Sequence, residues 1–202
     1  MAEIRSFIAI ELPSKIKTEL SGLVGRLSPK YQRSVKWVNP EGIHLTLKFL
    51  GSVPEEKISD IIDVLDDIAS ESHPFELCLD EVGAFPNLKS PRVAWVGISG
   101  NLHDLSSIHR KIENSIVHLG FEKEKRVFSA HLTIGRVKDS TNKIERADIG
   151  RDLSVSAIKQ SLPFSINGFT LMKSTLTPKG AIYEQIACFT LDNERNIMIE
   201  LN

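Results

Sequence analysis

The chain has 202 residues, 41% of them apolar and 25% charged, which suits one globular domain or one domain of two lobes. Its 25 Lys and Arg against 26 Asp and Glu give a formal net charge of −1, which argues against a basic binder of extended duplex. A small anionic substrate, or one nucleic-acid end held in a local patch, fits that balance. Cys78 and Cys188 are too few for a disulfide framework or a thiolate metal site, and they read as buried free thiols. Residues 1–10 carry Glu3 and Arg5 and no long apolar run. The expectation is neither a signal peptide nor a membrane span, and a cytoplasmic protein.

In chain order, Ser6 to Ile10 reads as a short buried strand. Pro13-Ser14 opens a helix whose apolar residues Ile16, Leu20, Leu23 and Leu27 recur at helical spacing, with Pro29 as its stop. Val35 to Val38 is a short strand before Asn39-Pro40. Ile43 to Leu50 has apolar residues at every odd position, Ile43, Leu45, Leu47 and Phe49, a period of two that predicts a strand ending at Gly51. Pro54-Glu55-Glu56 starts a second helix with a core stripe of Ile58, Ile61, Ile62, Leu65 and Ile68. Phe75 to Phe85 and Arg92 to Ile98 form a hairpin. Asn101 caps a third helix with Leu102, Leu105, Ile112 and Leu119 inward and Gly120 at its end. His131 to Val137 is another strand, Asn142 to Gln160 is irregular with helical content, and Pro163 to Lys173 and Ala181 to Leu191 are closing strands around the Thr177–Gly180 turn. Residues 1–202 show no linker and are taken as one bilobal domain. A faint repeat, helix then strand with His-x-Thr, occurs at His44 and again at His131. The expected fold class is α+β with two similar lobes.

His44-Leu45-Thr46-Leu47 and His131-Leu132-Thr133-Ile134 are nearly the same tetrapeptide. On a strand, residues i and i+2 share a face, so each copy presents an imidazole beside a hydroxyl. On a helix the same spacing turns them apart by about 200°. With 6 His in the chain, chance predicts about 0.24 such triplets, so two copies are a roughly 2–3% event. If the two strands face one another, a neutral His can take a proton from water while a protonated one donates to a leaving oxygen. The hydroxyls of Thr46 and Thr133 can stabilise charge on phosphate oxygens. Acid, base and anion donors are then all protein groups, and no metal or other cofactor is required. Arg136 falls on the opposite face by strict alternation and reaches a phosphate only past a bend, for which Gly135 gives an opening. Phe49, Trp37 and Trp95 read as core residues. Tyr183 is open to either reading. His73, His103, His109 and His118 show no metal-ligand spacing.

These residues resemble the 2H phosphoesterase superfamily, and within it the RNA 2′,3′-cyclic phosphodiesterases long called 2′-5′ RNA ligases. The likeness runs nearly end to end. It includes Arg5-Ser6-Phe7-Ile8-Ala9-Ile10, Trp37-Val38, His44-Leu45-Thr46-Leu47-Lys48-Phe49-Leu50-Gly51, Pro91-Arg92-Val93-Ala94-Trp95-Val96-Gly97, Phe128-Ser129-Ala130-His131-Leu132-Thr133-Ile134-Gly135-Arg136 and Lys173-Ser174-Thr175-Leu176-Thr177-Pro178. Many members have Pro where this chain has Ala130. The resemblance implies two antiparallel sheets forming a V-shaped cleft, helices outside and one motif per lobe. It implies His44 as proton donor and His131 as acceptor, an order the residues themselves leave open.

The activity so implied is opening of RNA 2′,3′-cyclic phosphates to 2′-phosphates. Its partners are RNA 3′ ends or small cyclic-phosphate nucleotides, without metal or membrane. Two alternatives stand beside it: 2′-5′ joining of RNA ends by the reverse chemistry, and a non-catalytic module that binds RNA ends.

Overall fold

In the computed structural model, which describes residues 2–158, 163–178 and 180–191, the opening strand β1 spans Glu3–Glu11 and is buried from Ser6 to Ile10. Both of its faces are covered, Ile8 and Ile10 by the main core and Phe7 and Ala9 by Met172 and Tyr183, while its two edges pair with β3 (His44–Pro54) and β8 (Gly168–Thr177). The other strands are β2 (Val35–Trp37), β4 (Phe75–Phe85), β5 (Val93–Gly100), β6 (His131–Val137), β7 (Phe164–Ile166) and β9 (Gly180–Thr190). The helices are α1 (Ser14–Tyr31), α2 (Ile58–Ser70), α3 (Leu102–Ile116) and α4 (Lys143–Ser154).

All strand pairs are antiparallel, in one curled sheet of order β7-β4-β5-β6-β3-β1-β8-β9, with β2 added to β6. The expected two lobes are therefore two halves of a single sheet. They meet at one residue pair, Leu45 opposite Leu132. The order is symmetric about that pair: β6, β5 and β4 on one side answer to β3, β1 and β8 on the other. The repeats trade strands, because β4 of the first half pairs with β5 of the second and β8 of the second pairs with β1 of the first. Helices cover one face of the sheet. α2 and α3 pack together over β3, β8 and β9, α1 lies against β2, and α4 against β4. The main core fills the space beneath them.

Several local expectations change. Pro29 does not stop α1, which continues to Tyr31. The last turn is held from outside: Lys30 Nζ and Tyr31 Oη both donate to Asp152 of α4, at 2.6 and 2.7 Å. Gly51 does not end β3. It sits at φ +75° inside a register shift against β1, a bulge that lets the strand run on to Pro54. Leu102 is 41% exposed rather than inward, at the first position of α3 before the helix reaches the sheet. Cys78 is only partly buried and Cys188 is exposed, so neither is the buried thiol expected. Asn101 caps α3 by accepting from the Asp104 amide, and Gly120 closes the following turn at φ +91°. The irregular helix expected over 142–160 is α4, ending at Ser154; 159–160 and Lys179 of the last turn lie outside the described residues.

A buried ion pair ties β3 to the chain that leads into β6. Lys48 Nζ donates to Glu113 Oε1 at 2.7 Å and to the Glu122 carbonyl at 2.9 Å. The other Glu113 oxygen accepts from the Glu124 amide at 3.0 Å. Lys48 and Glu113 are 5% and 8% exposed, so removing one partner leaves a charge with neither water nor counter-ion. Lys48→Met is expected to cost about 3–5 kcal/mol in urea unfolding, and Lys48→Met with Glu113→Leu to recover part of it. A single variant as stable as the parent would mean that water reaches the carboxylate.

Candidate active site

Leu45 and Leu132 are each the middle residue of a His-x-Thr motif, and they are 1% and 0% exposed in the core. Side chains alternate across a strand, so His44, Thr46, His131 and Thr133 all point to the other face, away from the helices. The antiparallel register then sets His44 beside Thr133 and Thr46 beside His131. The structure thus brings both motifs onto one open face at the junction of the two lobes.

The two motifs match beyond the tetrapeptide. The first seven residues of β3 and all seven of β6 follow the same order of buried and open positions. Each strand bulges just after its Thr: Thr46 pairs with Ala9 and Lys48 with Ile8, while Thr133 pairs with Trp95 and Gly135 with Ala94. Leu47 and Ile134 are the extra residues. One extra residue reverses the parity of all that follows. Arg136 therefore shares the face of His131 and Thr133, through the bend that Gly135 allowed. Gly135 is required there, since a Cβ would lie 2.9 Å from atoms of Trp37 and Val35.

The same bulge overturns the reading of Phe49 as core. It stands 66% exposed on the face of His44 and Thr46. Trp37 packs against the core as expected. Trp95 pairs with Thr133 and is only half-buried on the open face, because β5 turns that position away from the helices. Tyr183 also belongs to the site, with its ring edge-on to His44 at 5.0 Å between centroids. Sequence reasoning passed over Phe7 and Phe85. The Phe7 ring lies 4.7 Å from the His44 ring, and the Phe85 ring is edge-on to His131 at 4.9 Å. Phe7 looked like core because it sits in a continuous apolar run.

Each imidazole is fixed in the same way. His44 Nδ1 lies 2.9 Å from the Gly42 carbonyl oxygen and His131 Nδ1 lies 2.7 Å from that of Ser129. A carbonyl only accepts, so in both rings Nδ1 carries the hydrogen and Nε2 is left to work. Among the described residues neither Nε2, nor either Thr hydroxyl, has a hydrogen-bond partner. Burial pushes the His44 pKa below the usual histidine value, opposed by its bond to Gly42 and by the nearby Glu11 carboxylate. No group of three or more His, Cys, Asp or Glu stands within metal-binding reach among the described residues, and no helix there is long and apolar enough to cross a membrane.

The model of the LigT-like phosphoesterase family matches this chain twice, at residues 10–95 and 96–183, one match for each repeat. An RNA 2′,3′-cyclic phosphodiesterase of Archaeoglobus fulgidus is 36% identical over 186 residues, 92% of this chain and 99% of that one. One of Methanocaldococcus jannaschii is 37% identical, over 91% of this chain and 98% of its own. A crystal structure from Thermus thermophilus superposes with a TM-score of 0.78 at 26% identity, covering 95% of this chain and 100% of that one. Escherichia coli LigT complexed with 3′-AMP has the same fold, with a TM-score of 0.77 at 23% identity, over 95% of this chain and 99% of that one.

Two partly buried histidines tie stability to pH. His109, stacked on Phe128 at 4.0 Å, is pushed down by burial as His44 is. The unfolded chain then binds more protons than the folded one, so stability rises with pH. Their contribution is complete above about pH 6.5 and declines as pH falls below it. Thermal melts across that range are expected to show a falling Tm, with a shallower fall in His109→Phe. A Tm indifferent to pH in both proteins would refute this.

Proposed function

Because the chain belongs to the LigT-like phosphoesterase family, we propose that it opens 2′,3′-cyclic phosphates on RNA ends to 2′-phosphomonoesters, with His44 and His131 moving the protons. The observation that carries the reading is the pairing of Leu45 with Leu132, which sets two free Nε2 atoms and two free hydroxyls on one face. The reading needs both halves of the sheet in one catalytic unit, since each contributes one histidine.

The cyclic phosphate sits between the two imidazoles. His131 Nε2, neutral, takes a proton from water as its oxygen bonds to phosphorus. The bond from phosphorus to the 3′ oxygen breaks, and His44 Nε2–H gives that oxygen its proton. The product is a 2′-phosphomonoester with a free 3′-hydroxyl. Thr46 and Thr133 donate to the non-bridging oxygens, and Arg136 adds positive charge on the same face. The order of the two histidines is the one the resemblance implies. A 5′-hydroxyl in place of water, losing its proton to His131 and bonding to phosphorus as the 3′ oxygen leaves with a proton from His44, gives 2′-5′ joining by the same steps. The RNA 3′ end, or a small cyclic-phosphate nucleotide, is the partner of this reading, and all of its chemistry is done by protein groups.

His44→Ala and His131→Ala are each expected to lower turnover by about 10²–10⁴, and the double variant to lose less than the product of the two. Product analysis on an oligonucleotide with a cyclic-phosphate end, with and without a 5′-hydroxyl partner, distinguishes hydrolysis, joining and mere binding. Near-parent turnover in either variant would end the two-histidine reading. Thr46→Val and Thr133→Val should each cost at most about 2.7–4 kcal/mol in activation free energy. Excess EDTA should leave the rate unchanged. Loss of rate on chelation, restored by a divalent ion, would point to metal-assisted hydrolysis.

The pH profile tests the order of roles. A donor with a lowered pKa loses its proton early as pH rises. With His44 as donor, kcat/KM, which reports the free protein, should begin to fall below the ordinary histidine value of about 6.5. Anionic substrate restores proton affinity, so the alkaline limb of kcat should lie higher. A nitrophenolate leaving group should rescue His44→Ala and not His131→Ala. The opposite rescue reverses the roles.

A further inference from the structure

Beyond the two rows of catalytic side chains, β2 continues the junction along the same edge of β6. Lys36 is directly opposite Arg136 in that register. Opposed residues on paired strands share a face, and the parity set by the Ile134 bulge makes it the face of His131 and Thr133. The flanking pairs fit: Val35 opposite Val137 is buried, and Trp37 opposite Gly135 packs on the core. Lys36 and Arg136 are both exposed. Two like charges directly opposite one another repel. Lys17, Lys30, Lys48, Lys111 and Lys173 each pair with a carboxylate, whereas Lys36 and Arg136 have no ion pair or hydrogen bond among the described residues. The pair is thus an uncompensated dication on a rigid sheet, three residues from Thr133, at most about 10 Å along the strand.

We propose that Lys36 and Arg136 form a subsite for the phosphate on the 5′ side of the terminal nucleoside. This rests on the cyclic-phosphate reading above. The scissile phosphate bridges the 2′ and 3′ oxygens of the last ribose, and the next anion in the substrate lies across that sugar. The next cationic row on the face lies beyond Thr133 in the same sense. The protein therefore discriminates in favour of ends that carry this second phosphate, whether as a 5′-monoester on a single nucleotide or as the diester of an RNA chain. One such subsite agrees with the chain's near-zero net charge, which supplies no long basic track.

The test compares three substrates with the same base: a nucleoside 2′,3′-cyclic phosphate, its 5′-phosphorylated form, and a dinucleotide ending in the cyclic phosphate. Parent protein is expected to favour the second and third by about tenfold or more in kcat/KM, the step that one charged contact gives. Lys36→Ala should collapse that preference through KM, and Lys36→Arg should keep it. The salt dependence for the dinucleotide should weaken by about 0.7 in log–log slope in Lys36→Ala. Preference for the monoester would assign the subsite to free nucleotides, and equal or greater preference for the diester to RNA. A parent protein blind to the second phosphate, or a preference that survives Lys36→Ala, overturns the proposal while the cyclic-phosphate reading stands. If no substrate is opened, that reading fails. Equilibrium binding of the 2′-phosphate products with and without the 5′ phosphate then decides the subsite by the same comparison of parent and Lys36→Ala.

Discussion

The contact between Leu45 and Leu132 is the constraint on which the rest of this molecule depends. It is the only residue pair through which the two halves of the described sheet are joined in register along β3 and β6. Because both leucines are sealed in the core, their neighbours are compelled to the opposite face, and the strand period does the rest. No side chain needs to reach across a gap to assemble the site. Both leucines reconcile burial and function in one alternation: what the core takes at the middle position, the open face receives on either side.

Local backbone geometry supplies the second layer of order. Each histidine is held by a carbonyl two residues upstream, at Gly42 and at Ser129, so its tautomer is set by the turn that leads into its own strand. The surroundings of the two rings differ. His44 sits against Phe7 with Tyr183 edge-on, and His131 has Phe85 edge-on. The open positions three residues past each Thr differ more, Phe49 on one strand and Arg136 on the other. A symmetric backbone thus carries an apolar platform in one half and a cation in the other. That asymmetry suits the flat base and charged phosphate of the proposed substrate.

Much of the fold was legible because periodicity and capping agreed locally. The stripe of α2, the cap at Asn101, the hairpin of β4 and β5 and the His-x-Thr strands all follow from residues near one another in the chain. The errors have one physical origin. Bulges at Leu47 and Ile134 insert a residue whose presence is set by the partner strand, so alternation read from one strand alone misplaces Phe49 and leaves Arg136 on the wrong face. Pro29 was misread for a similar reason, since the bonds from Lys30 and Tyr31 to Asp152 join residues more than a hundred positions apart. Phe7 and Trp95 were hidden because an apolar residue on the open face looks like one in the core until its neighbours are known. Lys36 is a lone lysine on a short strand, and only its register with Arg136 gives it meaning.

The exchange of strands between the repeats bears on how the chain is born. Of the described strands β1 is made before the others, yet one of its two partners, β8, is met through Ser6 opposite Lys173. Closing so long a loop waits until Lys173 has been synthesised, at about 5–20 residues per second. Until then the edge of β1 from Ser6 to Ala9 has no strand to cover it, and such an edge invites pairing with another nascent chain. The half built on β4, β5 and β6 has no such wait for its central strands, which follow one another in sequence. Vectorial synthesis therefore lets β4, β5 and β6 pair with one another before β8 arrives to cover the second edge of β1.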